Sequence, residues 1–165
     1  MAVALGLRLL LASGFGLDDD LIFRHNIASV VQSRQLIGDN VSYRLTWLLP
    51  TALSAKVLGL TEVGMILPVT AFATLATGLL YAFGKLLWGR AGAVLAALLL
   101  IVHPLDFAWS TMLSNDIPLS VCSALAMFLV VRATREAGPL HSSRRWILPG
   151  GAGRLAFQAK GIGAR

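Results

Sequence analysis

Charge is what this chain has least of. Only 13% of its 165 residues are Asp, Glu, Lys or Arg, against 56% hydrophobic, and the mean hydropathy is +0.74. That balance excludes a soluble domain of ordinary composition and places the chain among membrane proteins. Cysteine is nearly missing as well. The single Cys122 excludes an intramolecular disulfide and says nothing of the redox compartment. The formal net charge is +6, yet the cations sit scattered at the edges of apolar segments. With no basic stripe interleaved with exposed aromatics, a nucleic-acid partner is excluded; flanking Arg and Lys suit membrane topology and anionic headgroups instead. An internal repeat and paired broken helices, the marks of many transporters, are lacking too.

What is present is a series of apolar segments. Each membrane-crossing helix takes about 20 residues, so the chain has room for four or five. Ala2 to Leu17 reads as a first, short transmembrane helix, with Arg8 inside the apolar stretch rather than ahead of it as a signal peptide requires. Twenty-two uncharged residues from Val63 to Gly84, closed by Lys85 and Arg90, form the clearest span. Pro68 falls in its first turns, where a missing N–H matters least. Another span runs from about Ala91 to Met112, with a kink at His103-Pro104 and Asp106 as a packed polar residue. A further one covers Ile117 to Val131 and is closed by Arg132 and Arg135. Beyond Pro139, a basic loop with Arg144 and Arg145 leads to Trp146–Ala164, an incomplete fifth span burdened by Pro149, Arg154, Gln158 and Lys160.

Two stretches between the first two spans have a different character. From Asp20 to Gln35, Phe23, Ile27, Val30 and Val31 share one helical face, and His25, Ser29, Gln32 and Ser33 the other. This is the pattern of a helix lying in the interface plane. Leu45 to Leu58 is apolar but has only eleven residues between Arg44 and Lys56, too few to cross easily, so it reads as a second interfacial or re-entrant helix. Placing Lys85, Arg90, Arg132, Arg135, Arg144 and Arg145 in the cytoplasm satisfies the positive-inside rule. The same choice gathers Asp18, Asp19, Asp20, Asp39, Glu62 and Asp116 on the outer side, along with Arg24, Arg34, Arg44 and Lys56.

The run Asp18-Asp19-Asp20 stands where the first apolar segment ends. Acidic residues are costly near a bilayer, which makes such a cluster a functional hypothesis by default. Aspartates also cap helix N-termini, but three in a row exceed what one cap needs. Asp116, ahead of Pro118, has the same two readings. Three carboxylates suit a divalent cation.

The order of these elements resembles the N-terminal part of the polyprenyl-phosphate-dependent membrane glycosyltransferases of the C-type fold, in the protein O-mannosyltransferase and aminoarabinose-transferase branch. Asp19-Asp20-Leu21-Ile22-Phe23 is similar to the acidic pair and following aromatic of the first outer loop, with Asp20 where Glu is usual and Phe23 where Tyr is usual. Arg44–Pro50 with Lys56-Val57-Leu58-Gly59 resembles the second interfacial helix. Leu87–Gly92 resembles the basic turn between the second and third spans, Ser114–Leu119 the second acidic motif, and Leu155–Gly161 the Lys-Gly segment of the fifth span.

The resemblance implies an all-α integral membrane fold, the N-terminal part of a polytopic helical bundle with interfacial helices in its first outer loop. Residues 1–136 are expected to hold four spans and the outer loop 15–62, and residues 137–165 a basic cytoplasmic loop and the incomplete fifth span. The implied activity is transfer of a sugar from a polyprenyl-phosphate donor to an acceptor hydroxyl at the outer face of a multi-pass bilayer protein, in the bacterial inner membrane. Asp19 is then the base, and Asp20 or Asp18 an acceptor or metal ligand. Asp116 forms the second acidic site, while Arg24 and Arg44 hold phosphate. A metal stays open, because some related enzymes need none. The departures at Pro149, Arg154 and Gln158 and the end at Arg165 imply a fragment or a degraded reading frame, inactive as it stands. The alternative is a non-catalytic small membrane protein or a transporter-like subunit.

Overall fold

The computed structural model describes residues 1–11, 19–33, 44–114, 116–136 and 147–159. Their helices run in the order α1 (Ala2–Leu10), α2 (Asp19–Ser33), α3 (Leu45–Leu58), α4 (Glu62–Val102), α5 (Pro104–Ser110), α6 (Asp116–Glu136) and α7 (Ile147–Ala159). No strand occurs among the described residues, and the fold is all-α as the sequence implies.

Helix α4 is a hairpin. It starts at a capped N-terminus, where Thr61 Oγ1 accepts the Gly64 N–H at 3.1 Å and Glu62 complements the helix dipole. The helix breaks at Gly89, whose φ of 77° and ψ of −171° only glycine adopts readily. The chain then doubles back. Thr77, Gly78 and Tyr81 of the first arm and Ala97 and Ile101 of the second line one small cavity, which Met1 also enters. Nearer the turn, the arms touch at Gly84, where a Cβ would lie 2.9 Å from the Cα of Ala93. Helix backbones approach this closely only over small residues. Gly84→Val should therefore cost about 1–3 kcal/mol or more in overpacking. Thermal midpoints in detergent, with Gly151→Val as the control in open space, check this. Equal losses in both would remove the hairpin contact as the reason.

The first arm, residues 62–88, rises about 40 Å at ~1.5 Å per residue, more than the ~30 Å hydrocarbon core. The second arm ends at His103, which is extended, and α5 begins at Pro104 with the His103 Nδ1 accepting the Asp106 N–H at 3.3 Å. The expected kink is thus a helix stop followed by a freshly capped helix. Helix α6 runs alongside the first arm in the same direction. Leu113 and Ile117 pack with Met65, Ile66 and Val69, the Phe83 and Phe128 rings lie 6.0 Å apart, and the Arg135 guanidinium donates to the Leu86 carbonyl at 2.6 Å. It continues past the fifteen uncharged residues to Glu136, and in its last turn Arg135 reaches a carbonyl of the first arm.

Helices α4 and α6 are each long and apolar enough to cross a membrane. Helix α1 is 9 residues long and packs on α4, with Ala4 and Arg8 buried. Helix α7 lies along α6 and reaches α3, where Thr46 Oγ1 donates to the Leu155 carbonyl at 3.2 Å. The parallel course of α6 and the first arm gives the bundle two unlike ends. Lys85, Arg90, Arg132 and Arg135 gather around the hairpin turn, and Glu62 and Asp116 begin the helices at the opposite end.

Candidate functional site

Helices α2 and α3 sit at that acidic end. On α2, Phe23 and Ile27 are buried and Val30 and Val31 pack beside them, while His25, Gln32 and Ser33 face out. This is the two-faced pattern read from the sequence. On α3, Trp47, Leu48, Thr51, Ala52 and Ala55 are buried, and Leu49, Leu53, Lys56 and Val57 are exposed. The Phe23 and Trp47 rings meet at 4.9 Å with a 55° tilt, a favoured arrangement for aromatic pairs. Their shared cluster includes Met65, Ile66 and Val69 of α4 and Leu113 of the α5–α6 link, with Ile117 of α6 packed against it. One apolar cluster therefore ties both amphipathic helices to the starts of α4 and α6.

The candidate residues fall around this cluster to different degrees. Asp18 lies outside the described residues. Asp19 opens α2, and its side chain is outside them too. Asp20 is buried, at 4% exposure, one turn before Phe23. Arg24 is on the exposed side of α2. Arg44 stands immediately before α3, where its carbonyl accepts the N–H groups of Trp47 and Leu48, both at 3.0 Å. Asp116 is exposed in the first turn of α6, next to Ile117, and its N–H donates to Ser114 Oγ at 3.2 Å. Asp20, Arg44 and Asp116 thus each stand within three residues of a side chain in or against the common cluster. Arg24 neighbours Phe23 in sequence and lies on the exposed side of α2.

Two donors at this place are buried without an acceptor among the described residues: the Arg44 Nε and the Trp47 indole Nε1. Buried N–H groups are nearly always paired, so each such donor marks a place for an acceptor beyond the described residues. Sequence patterning missed the indole, because a tryptophan on an apolar helical face reads only as core. It also missed Asn26, 1% exposed on α2. The signal was there, since Asn26 interrupts the apolar side between Phe23 and Ile27. Among the described residues no group of three His, Cys, Asp or Glu side chains is arranged to hold a metal ion.

An all-helical membrane bundle with a two-helix cap over its acidic end defines the structural class. Within that class, the family model for dolichyl-phosphate-mannose-protein mannosyltransferase matches residues 45–164, well over half of the chain, and the chain belongs to this family. The matched part runs from α3 to beyond α7 and includes Asp116; Asp18, Asp19, Asp20, Arg24 and Arg44 precede it. No curated protein and no solved structure matches the chain. Family membership makes it a membrane protein of the glycosyltransferase kind.

Proposed function

We propose that this chain supplies the donor- and acceptor-binding end of a transferase that moves a sugar from a polyprenyl phosphate to a hydroxyl. The observation that carries the reading is the common cluster, which keeps Asp20, Arg44 and Asp116 around one end of the bundle and leaves the Arg44 Nε and Trp47 Nε1 without acceptors. An anionic, oxygen-rich donor headgroup matches those two N–H groups. Arg binds phosphate in fixed two-point geometry, which a lysine cannot reproduce.

In the reaction, a carboxylate takes the proton of the acceptor hydroxyl as its oxygen bonds to the anomeric carbon. The bond from that carbon to the phosphate oxygen breaks, and polyprenyl phosphate leaves with the electron pair. Asp19 is the base in this scheme, Asp20 and Asp116 order the acceptor or a cation, and Arg44, with Arg24 at the rim, offsets the charge on the leaving phosphate. The acidic end faces outward and the basic hairpin turn faces the cytoplasm, in keeping with the distribution of Lys and Arg. The chain is then multi-pass, and a bacterial inner membrane suits it.

Donor binding tests this without requiring turnover. With the chain in lipid nanodiscs, Arg44→Gln should weaken binding of a radiolabelled polyprenyl-phosphate sugar by about 10-fold or more, the usual worth of a hydrogen bond to a charged group. Wild-type binding no better than that of polyprenol, or affinity unchanged in Arg44→Gln, would sink the assignment.

A further inference from the structure

Away from the acidic end, α1 carries a charge buried deep in the bundle. Arg8 is 2% exposed and forms an ion pair with Asp106 of α5. Its remaining nitrogens are used as well: Nε donates to Ser110 Oγ at 3.1 Å and Nη1 to Thr77 Oγ1 at 3.3 Å. Ser110 is held from the other side, where its carbonyl accepts from Thr70 Oγ1 at 3.1 Å. Asp106 also lines an apolar cavity of about 340 Å³ between α4 and α6.

The place of Ser110 gives this network its meaning. It is the last residue of α5, and the link it begins is buried at Thr111, Leu113 and Ser114. That link ends at Asp116, whose N–H is held by Ser114 Oγ. The start of the link is therefore held to α1 and α4 by Arg8 and Thr70, and at its far end Ser114 Oγ ties the link to the first turn of α6. We propose that Arg8 is a positioning residue: by bonding Asp106, Ser110 and Thr77 together it sets the α5–α6 link and, through it, the place of Asp116. The functional consequence rests on the reading of Asp116 as part of the transfer site. A simple hydrophobic residue at position 8 would fill the same space, and a lysine would pair with Asp106. Arginine reaches the three partners through three separate nitrogens of one planar group, whereas the donors of a lysine share a single nitrogen that cannot lie against all three.

The test uses the full chain with Cys122→Ser and a single cysteine introduced as Asp116→Cys, read by the rate of reaction with a membrane-impermeant maleimide. Thr61→Cys, exposed at the start of the neighbouring helix, is the control. Arg8→Lys keeps the ion pair and gives up the serine and threonine bonds. The double variant Arg8→Met/Asp106→Leu removes both charges, a change often tolerated for buried pairs. Both variants should hold their thermal midpoints. Both should also raise the reaction rate of Asp116→Cys by at least about threefold, the low end of what one lost hydrogen bond does to a local opening, with Thr61→Cys unchanged. In a protein carrying this chain that shows transfer, Arg8→Lys with Asp116 intact should lower kcat by about 10-fold, as small misplacements at a reacting centre do, and leave the donor KM alone. Wild-type labelling rates in both folded variants overturn the positioning role. Faster labelling with no donor binding by wild type leaves that role standing and removes the transfer reading instead.

Discussion

Asp19→Asn should abolish sugar transfer, by about 10²-fold or more as expected for loss of a general base, in a protein that carries this chain and still inserts and folds. The substitution removes a proton acceptor and keeps the volume and much of the hydrogen-bonding shape, so lost activity reports chemistry rather than collapse. Asp19 is favoured over its neighbour on a physical ground. Asp20 is enclosed by the bundle, and a base must meet a hydroxyl that arrives from outside. Asp20 is better suited to holding something in place, and Asp20→Asn should act partly through folding. The measurement is turnover with polyprenyl-phosphate sugar and a hydroxyl acceptor, beside the amount of protein in the membrane. Wild-type turnover in Asp19→Asn, with Asp18 and Asp20 intact, would move the base to another residue.

Trp47→Ala should cost about 3–5 kcal/mol, the usual loss for removing a large aromatic from a packed core. Trp47 is 1% exposed and touches Phe23, joining the two helices of the cap. Truncating it leaves α2 and α3 without their central contact and loosens the link at Leu113 that lies in the same cluster. The thermal midpoint in detergent reads this directly. Trp47→Phe separates packing from chemistry. It retains most of the ring volume and gives up an indole N–H that no described residue accepts. Stability should therefore fall much less than in Trp47→Ala, while donor binding falls if the indole serves the headgroup. Donor affinity unchanged in a stable Trp47→Phe would leave Trp47 a packing residue and place the anion on Arg44 alone.

Much of this architecture is legible from residue order. The uncharged run from Val63 and the basic turn at Leu87–Gly92 mark out the α4 hairpin, and His103-Pro104, read as a kink, is where the structure stops the second arm and starts α5. Leu45 and Leu58 bound α3 in the structure as they do in the sequence. The two-faced pattern of α2 gave the right buried side because period 3.6 is a local property and survives any packing partner. The Arg8–Asp106 pair was half legible: both residues are anomalous in apolar runs, and neither names the other. They are 98 residues apart, and no periodicity connects positions at such a distance. The same holds for Trp47 and Leu113, whose joint burial turns three separate motifs into one candidate site.

The sequence by itself determined that the chain is helical and membrane-bound, where its apolar segments lie, and which end of each carries acid or base. These follow from hydropathy, helix period, glycine and proline, all properties of neighbouring residues. Only the tertiary structure decided that α6 runs parallel to the first arm of α4, that α2 and α3 close over their common start, and that Arg8 reaches across to Ser110. Those relations depend on which side chains fill each other's space and which buried donors find acceptors, and such pairings exist only once distant segments are packed together.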